Sequence, residues 1–162
     1  MIRPITPADT QAVLDIWNPV IRDTTITFSS EEKDPTTLWE YVNTRRAAGH
    51  DFWVACAGDG QVLGFASYAQ FRGGNGYATA MEHSIVLAPA AHGQGYGRAL
   101  MVTLEDHARR AGHHTMFAAV SAENAAGLAF HGAIGYAHVA LIREAGRKFD
   151  RWLDVVLMQK FL

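Results

Sequence analysis

The chain has 162 residues, and 14 lysines and arginines against 16 aspartates and glutamates give it a formal net charge of −2. A content of 49% hydrophobic and 19% charged residues is typical of a globular protein, and the length predicts one domain over residues 1–162. The near-neutral charge gives no basis for nucleic-acid binding, and the single cysteine, Cys56, excludes an internal disulfide and a cysteine zinc cage. No apolar run reaches the roughly 18 residues that span a bilayer, and the first residues lack the apolar core of a signal peptide. We therefore expect a soluble, cytoplasmic protein with no membrane partner.

Hydrophobic periodicity and turn residues predict the elements of the fold. In chain order they are a strand over 2–5, helices over 9–20 and 35–48, strands over 52–57, 61–71 and 77–87, a helix over 98–111, a strand over 114–120, a helix over 124–134, and strands over 136–141 and 152–159. Residues 23–34 show no clean period, and residues 72–76 form a glycine-rich loop. This order is mixed α/β and differs from the strict alternation of a doubly wound parallel sheet.

A second glycine-rich stretch lies between the strand over 77–87 and the following helix, and it reads His92-Gly93-Gln94-Gly95-Tyr96-Gly97-Arg98. A helix N-terminus presents unpaired N–H groups, and glycines let a phosphate approach the backbone, so the stretch is suited to phosphate or pyrophosphate. It lacks the Gly-Lys-Ser/Thr ending of a P-loop and the G-x-G-x-x-G spacing of the Rossmann fingerprint, which excludes both motifs. Taken alone, the stretch is equally typical of a flexible loop.

Residues 93–97 resemble the acetyl-CoA pyrophosphate loop of the GNAT superfamily of N-acetyltransferases, whose pattern is Gln/Arg-x-x-Gly-x-Gly/Ala. His92 stands where that pattern has Arg or Gln, a departure that weakens one phosphate contact. Further stretches are similar to the phosphinothricin and methionine-sulfoximine acetyltransferases within that superfamily. They are Ile16-Trp17-Asn18, residues 68–72, Glu82-His83-Ser84, Asn124-Ala125-Ala126, His131, Gly135-Tyr136, Lys148-Phe149 and residues 151–154.

The resemblance implies a GNAT-type α/β fold, in which a central mixed, mostly antiparallel sheet is flanked by helices. It implies acetyl-CoA as the cosubstrate, no metal, and direct acetyl transfer in a ternary complex. The implied acceptor is the α-amine of a small amino acid analogue such as L-phosphinothricin or L-methionine sulfoximine or sulfone. Members of this group are commonly homodimers, so the resemblance also implies a homodimer in which residues 148–154 border the partner.

Two titratable residues are candidates for the proton transfers that acetylation of an amine requires. Glu82 lies in a strand otherwise rich in apolar residues, where a carboxylate can have a raised pKa and act as a base; an exposed position on an edge strand is the alternative. The resemblance places Glu82 at the catalytic glutamate of the group. It also places His131 at the general-acid position, where many GNAT enzymes have tyrosine, although a histidine packed on a helix is the simpler interpretation of the sequence alone. Whether His131 acts on the thiolate or on the amine stays open.

Residues implied to contact the cofactor are Ser84, Ile85 and Val86 of a splayed strand, Asn124 at the next helix entry, and residues 92–98 of the glycine-rich stretch. Asn124 is equally suited to cap its own helix. Successive strand residues point to opposite faces, so we expect His83 to be structural although it adjoins Glu82. The eight histidines show no metal-ligand spacing, and Cys56 is expected to pack in an apolar strand.

On the acceptor side, a carboxylate calls for an Arg or Lys partner, and Arg72 is the first candidate with Lys148 the second. Phe28, Phe71 and Tyr77 are candidates for an aromatic wall. The acceptor loop is expected to include Gly74, Asn75 and Gly76, and Phe149 follows Lys148 at the same site. The alternative for these charged loop residues is simple solvation.

Two other functions remain open from the sequence. The acceptor could be a peptide N-terminus, a lysine or a polyamine. The chain could also be a non-catalytic acyl-CoA-binding module, against which the presence of both Glu82 and His131 argues.

Overall fold

The computed structural model describes residues 1–162, and its centre is one seven-stranded sheet. The strands are β1 (Ile2–Pro4), β2 (Phe52–Cys56), β3 (Val62–Gln70), β4 (Ala80–Leu87), β5 (Thr115–Ser121), β6 (Ala137–Lys148) and β7 (Arg151–Phe161). They lie in the order β1-β2-β3-β4-β5-β7-β6, and every neighbouring pair is antiparallel except β4 and β5. The predicted mixed, mostly antiparallel sheet is confirmed.

Helices cover both faces of the sheet. Helices α1 (Thr10–Asp23) and α2 (Pro35–Ala47) enclose one apolar core with β2 and β3, and α3 (Tyr96–Arg110) encloses the other. The short helix α4 (Ala125–Ala133) follows β5 and packs beside α3. The spacing of Leu100, Met101, Leu104 and Ala108 explains the buried face of α3, since these side chains recur every three or four residues and are all buried. No helix has both the length and the apolar character needed to cross a bilayer.

The parallel pair at the centre of the sheet separates partway along its length. Strands β4 and β5 pair only at Ala80–Thr115, Met81–Met116 and Glu82–Phe117. Beyond Glu82, β4 pairs with β3 alone, and beyond Phe117, β5 pairs with β7 alone. The two strands therefore diverge and leave a gap whose walls carry backbone groups without a partner strand, which is the splayed arrangement that the resemblance implied.

Two strand boundaries differ from the prediction by more than two residues. Strand β4 begins at Ala80 and not at residue 77, because Asn75–Tyr77 form a 3-10 turn. The strand predicted to end at residue 141 continues to Lys148 as β6, and β6 turns into β7 through Phe149 and Asp150, both with positive φ (51° and 57°). Register shifts after His138 and Ile142 interrupt the alternation of β6, so the extension is not visible as a period of two.

Candidate active site

The divergence of β4 and β5 creates a cavity of about 380 Å³, which we call the strand gap. Ser84, Ile85 and Val86 of β4 line one wall, residues 118–121 of β5 line the other, and Asn124 and His131 lie at its α4 end. The structure thus brings together six residues that the sequence associated with the cofactor or with catalysis, since Glu82 also lines this cavity, although they are as much as 49 positions apart in the chain (82 to 131).

A second cavity of about 330 Å³, which we call the helix-side cavity, lies between α1, α2 and the ends of β3 and β4. Its walls include the aromatic rings of Trp17 and Tyr41 and the polar groups of Gln70 and Glu82. Glu82, Ser84 and Trp17 line both cavities, so the two spaces adjoin at these residues.

Glu82 lies at the junction of the two cavities because of strand alternation. Its side chain is half-buried on the α1/α2 side of β4, whereas His83 is buried on the other side. Burial alone raises the pKa of the Glu82 carboxyl, and the carboxyl makes neither a hydrogen bond nor an ion pair. A carboxylate with a raised pKa and free oxygens is suited to accept a proton.

His131 and His83 form a buried pair of rings. His131 Nδ1 lies 2.7 Å from the Gly127 carbonyl oxygen, which can only accept, so Nδ1 carries a hydrogen and donates it. His131 Nε2 lies 2.9 Å from His83 Nε2, and a hydrogen bond at this distance requires one hydrogen between the two nitrogens. Burial lowers the pKa of both rings, that of His83 to about 3, so both are neutral at neutral pH. His83 faces away from Glu82, as alternation predicted, and its contact is with the second catalytic candidate.

The N-terminus of α4 is capped by Asn124. Its Oδ1 accepts a hydrogen bond of 2.9 Å from the Gly127 amide, and a Cβ at Gly127 would lie only 2.4 Å from Asn124 Nδ2. The same Asn124 side chain lines the strand gap. The cap and the cavity contact are compatible, because one side chain makes both.

The glycine-rich stretch forms the N-terminus of α3. Gly95 adopts a left-handed conformation at the cap, with φ of 84°. The amides of Tyr96, Gly97 and Arg98 donate to no backbone carbonyl and to no capping side chain. Unpaired amides at the positive end of a helix of 15 residues fit a pyrophosphate, so these residues are suited to hold the phosphate end of coenzyme A.

The other residues of this stretch have separate contacts. A Cβ at Gly97 would lie 3.1 Å from the Phe130 ring, so the glycine permits α3 to pack closely against α4. The Gln94 side chain donates to the Ala90 carbonyl, and the Arg98 guanidinium donates to the Ala133 carbonyl at 3.3 Å. His92 and Gly93 are exposed, and Tyr96 is half-buried against the α3 core.

The structure does not bring all the predicted acceptor residues together. Phe28 lines the strand gap, but Phe71 stacks on Phe117, and Arg72 lies over the Tyr77 ring outside both cavities. The Gly74 carbonyl accepts a hydrogen bond from the Gln70 side chain, and Asn75 and Gly76 belong to the exposed 3-10 turn.

Lys148 is buried, contrary to the expectation of a residue in a substrate loop. Its ammonium group donates to the Ile21 carbonyl at 2.5 Å and to the Thr27 carbonyl at 2.8 Å, and it lines neither cavity. Lys148 therefore ties the end of β6 to the end of α1, while the neighbouring Phe149 is 53% exposed.

Sequence reasoning missed two cations that line the helix-side cavity, Lys33 and Arg45. Lys33 belongs to the stretch without periodicity, and Arg45 lies on α2, where a charged residue is ordinarily solvated. No local signal in the sequence distinguishes them, because α1, α2 and β4 meet only in the folded chain.

Comparison with known proteins gives the same picture as the geometry. The model of the Acetyltransferase (GNAT) family matches residues 13–136. The chain is 34% identical over 158 residues to the L-methionine sulfoximine/L-methionine sulfone acetyltransferase of Salmonella typhimurium, which covers 98% of this chain and 92% of the relative.

Two solved structures are closely similar over the whole chain. The ribosomal-protein-alanine N-acetyltransferase of Brucella melitensis has a TM-score of 0.95 and 35% identity, covering 100% of this chain and 99% of that one. The phosphinothricin acetyltransferase of Sinorhizobium meliloti, solved with acetyl-CoA, has a TM-score of 0.94 and 28% identity, covering 100% and 88%. With the splayed strands and the unpaired amides of α3, these matches show that the chain belongs to the GNAT family of acetyl-CoA-dependent N-acetyltransferases.

Proposed function

We propose that the protein, acting as one domain over residues 1–162, transfers the acetyl group of acetyl-CoA to the α-amine of a small amino acid analogue. L-Methionine sulfoximine, L-methionine sulfone and L-phosphinothricin are the acceptors suggested by the names of its relatives. The observation that carries the proposal is the position of Glu82, a residue that lines both the strand gap and the helix-side cavity. An amine in the helix-side cavity and a thioester in the strand gap would meet at this residue.

Glu82 is the proposed base. An amino acid carries an ammonium group at neutral pH, which must lose a proton before it attacks a carbonyl carbon. Because the pKa of the Glu82 carboxyl is raised, its proton affinity is closer to that of the amine than the proton affinity of an exposed carboxylate is. The proton can pass to Glu82 directly or through one water.

Acetyl-CoA supplies the activated acetyl group. We propose that residues 84–86 and Asn124 bind its pantetheine arm and that residues 92–98 bind its pyrophosphate. The strand gap supports this because β5 does not pair with β4 beyond Glu82, which leaves backbone amides of β4 available to the thioester oxygen. The wall of the gap includes Phe28, which we propose as the aromatic contact of the acceptor side chain.

His131 is the second proposed catalytic residue. Its Nδ1 is held by Gly127, so Nε2 is the only ring atom that can exchange a proton with the substrates. Because His131 Nδ1 carries the one hydrogen of a neutral ring, the hydrogen between the two Nε2 atoms belongs to His83, and His131 Nε2 accepts it. To act on the substrates, His131 Nε2 would leave His83 and take a proton from the incoming amine, and it would have a proton for the leaving thiolate only after that step.

The test is release of free thiol from acetyl-CoA with L-methionine sulfone as acceptor. Glu82→Gln keeps the shape of the side chain but removes its basicity, so we expect kcat to fall by about 10²–10⁴-fold. Glu40→Gln, at an exposed position on α2, is the matched control and should retain full activity. Full activity of Glu82→Gln would remove Glu82 from the mechanism.

An alternative acceptor is a protein N-terminus, because one structural neighbour is named a ribosomal-protein-alanine N-acetyltransferase. Peptides beginning with alanine, tested beside free amino acids, lysine and polyamines, distinguish this alternative. Binding of coenzyme A without thiol release on any amine would indicate a non-catalytic acyl-CoA-binding module.

We further propose that the protein is a homodimer through the β6–β7 hairpin. Strand β6 is the last strand of the sheet, and β6, its turn and the start of β7 expose apolar side chains: Val139, Leu141, Ile142, Phe149 and Trp152 are 45–60% exposed. A cluster of this size on an unpaired edge is typical of an interaction surface.

We place the enzyme in the cytoplasm, where its one thiol, Cys56, stays reduced and where acetylation would confer resistance to such analogues.

A further inference from the structure

The helix-side cavity holds two cations that have no anionic partner. The chain forms eight ion pairs, and neither Lys33 nor Arg45 takes part in any of them. The other unpaired arginines, Arg72, Arg98, Arg110 and Arg143, are exposed to water, whereas Lys33 and Arg45 are half-buried. Burying a cation without a counter-charge costs free energy, so we expect these two cations to bind an anion.

The contacts of the two cations leave their donors available. The Arg45 guanidinium lies over the Tyr41 ring and donates once, to the Tyr41 carbonyl at 3.2 Å, while its Nε is buried without any hydrogen-bond partner. The Lys33 ammonium lies 5.3 Å from the centre of the Trp17 ring and makes no hydrogen bond. The aromatic rings hold the cations in place but satisfy none of their remaining N–H groups.

The only carboxylate in the cavity does not neutralise them. Glu82 accepts no hydrogen bond from Lys33 or Arg45, and neither cation lowers the pKa of its carboxyl. Glu82 is therefore free to act as a base, and the two positive charges remain available to a ligand.

We propose that Lys33 and Arg45 bind the carboxylate of the acceptor in the helix-side cavity, so that the α-amine is directed to Glu82. This assignment rests on the proposed N-acetyltransferase function and narrows its acceptors to amines that carry an acid group next to the amine. It replaces Arg72 and Lys148 as the carboxylate anchor, because Arg72 lies outside both cavities and Lys148 is engaged with backbone carbonyls. Polyamines and peptide amides lack the group that these cations bind.

The experiment compares an acceptor that carries a carboxylate with one that carries a neutral amide in its place, L-methionine sulfone and its primary amide, in the thiol-release assay. Lys33→Met and Arg45→Met should each raise KM for the free acid about tenfold or more, the factor expected for one charge-assisted hydrogen bond. For the amide, the KM of each variant should stay within about twofold of the wild-type value. Each variant is compared with wild type on the same acceptor, so the different basicity of the two amines cancels.

Three controls keep the outcome interpretable. Arg45→Lys retains the charge and should recover most of the affinity, KM for acetyl-CoA should be unchanged, and Arg110→Met at an exposed position on α3 should behave as wild type. Lys33→Met removes no hydrogen bond of the side chain, so its fold is expected to survive even where Arg45→Met is unstable.

Several results would overturn the assignment. One is an equal rise in KM for the acid and for the amide in Lys33→Met and Arg45→Met. A second is an equal KM of the wild type for both acceptors. A third is a rise in KM for the acid alone in Arg72→Met but not in Lys33→Met or Arg45→Met. Absence of thiol release by the wild type with any amino acid analogue is a different result, since it contradicts the proposed function itself.

Discussion

Lys148 provides a test of whether a buried cation serves the fold or the substrate. Its ammonium group joins the end of β6 to two carbonyls, those of Ile21 at the end of α1 and Thr27 in the following segment. This segment continues to Phe28, a wall of the strand gap. Replacing Lys148 with Met keeps an unbranched side chain and removes both hydrogen bonds.

The cost of this replacement follows from the two bonds. A hydrogen bond from a charged donor contributes about 1.5–3 kcal/mol, and a buried carbonyl left without a partner costs about 1–3 kcal/mol. Because the loop over residues 24–34 can relax towards water, we take the lower end for each bond and expect the free energy of unfolding to fall by about 3 kcal/mol. For a chain of this size, each 1 kcal/mol lowers Tm by about 2–4 °C, so Tm should fall by about 6–12 °C.

The measurements are thermal unfolding followed by circular dichroism and acceptor KM at a temperature well below the transition. Arg143→Met, at an exposed position on the same strand, is the matched control and should unfold near the wild-type temperature. A Lys148→Met protein with unchanged Tm and a KM for L-methionine sulfone raised tenfold would refute this reasoning and return Lys148 to the acceptor site.

Three further predictions concern other parts of the fold. Burial lowers the pKa of His83 from 6.5 to about 3, so the unfolded chain takes up this proton first as the pH falls. Between these two pH values His83 should lower the free energy of unfolding by about 1.4 kcal/mol per pH unit, and denaturant titration of His83→Phe should show a pH slope smaller by that amount. Gly146→Ala should lower Tm and acceptor affinity together, since its Cβ would lie 2.1 Å from the Phe28 ring, whereas an unchanged acceptor KM would separate Phe28 from the acceptor. Combined Leu141→Asp and Trp152→Asp should convert a dimer to a monomer in light scattering, and a wild type that is already monomeric would contradict the proposed hairpin interface.

Local rules were sufficient where a feature depends on neighbouring residues. Strand alternation correctly separated Glu82 from His83, and the glycine spacing correctly placed a helix N-terminus at residues 95–98. The resemblance then gave the divergence of β4 from β5, which periodicity does not show. The first two features follow from residues within one strand or one turn, whereas the divergence involves two strands.

Features that depend on distant segments were not predicted from the sequence. The contact of His83 with His131 joins residues 48 positions apart. The hydrogen bond that holds Lys148 in place goes to Ile21 of α1, 127 positions earlier in the chain. From the sequence alone, Arg45 is expected to be a solvated residue on α2, but in the folded chain α1 and β4 enclose it. In each case the environment of the charge is set by tertiary packing, which no periodicity of the local sequence records.

Strand β4 explains why base and histidine pair can coexist so close in sequence. Glu82 and Ser84 face the α1/α2 side, while His83 between them faces α4, so one strand serves two chemical environments with a period of two. The last residue of β4 that pairs with β5 is Glu82 itself, which places the carboxyl where the sheet opens and keeps its backbone fixed by β3 and β5. A shift of the β4 register by one residue would turn Glu82 towards His131 and expose His83 to Arg45. Since burial raises the pKa of the Glu82 carboxyl and lowers that of the His83 ring, that exchange would move each group out of the environment that sets its protonation, and the register of this strand is therefore a condition of the chemistry.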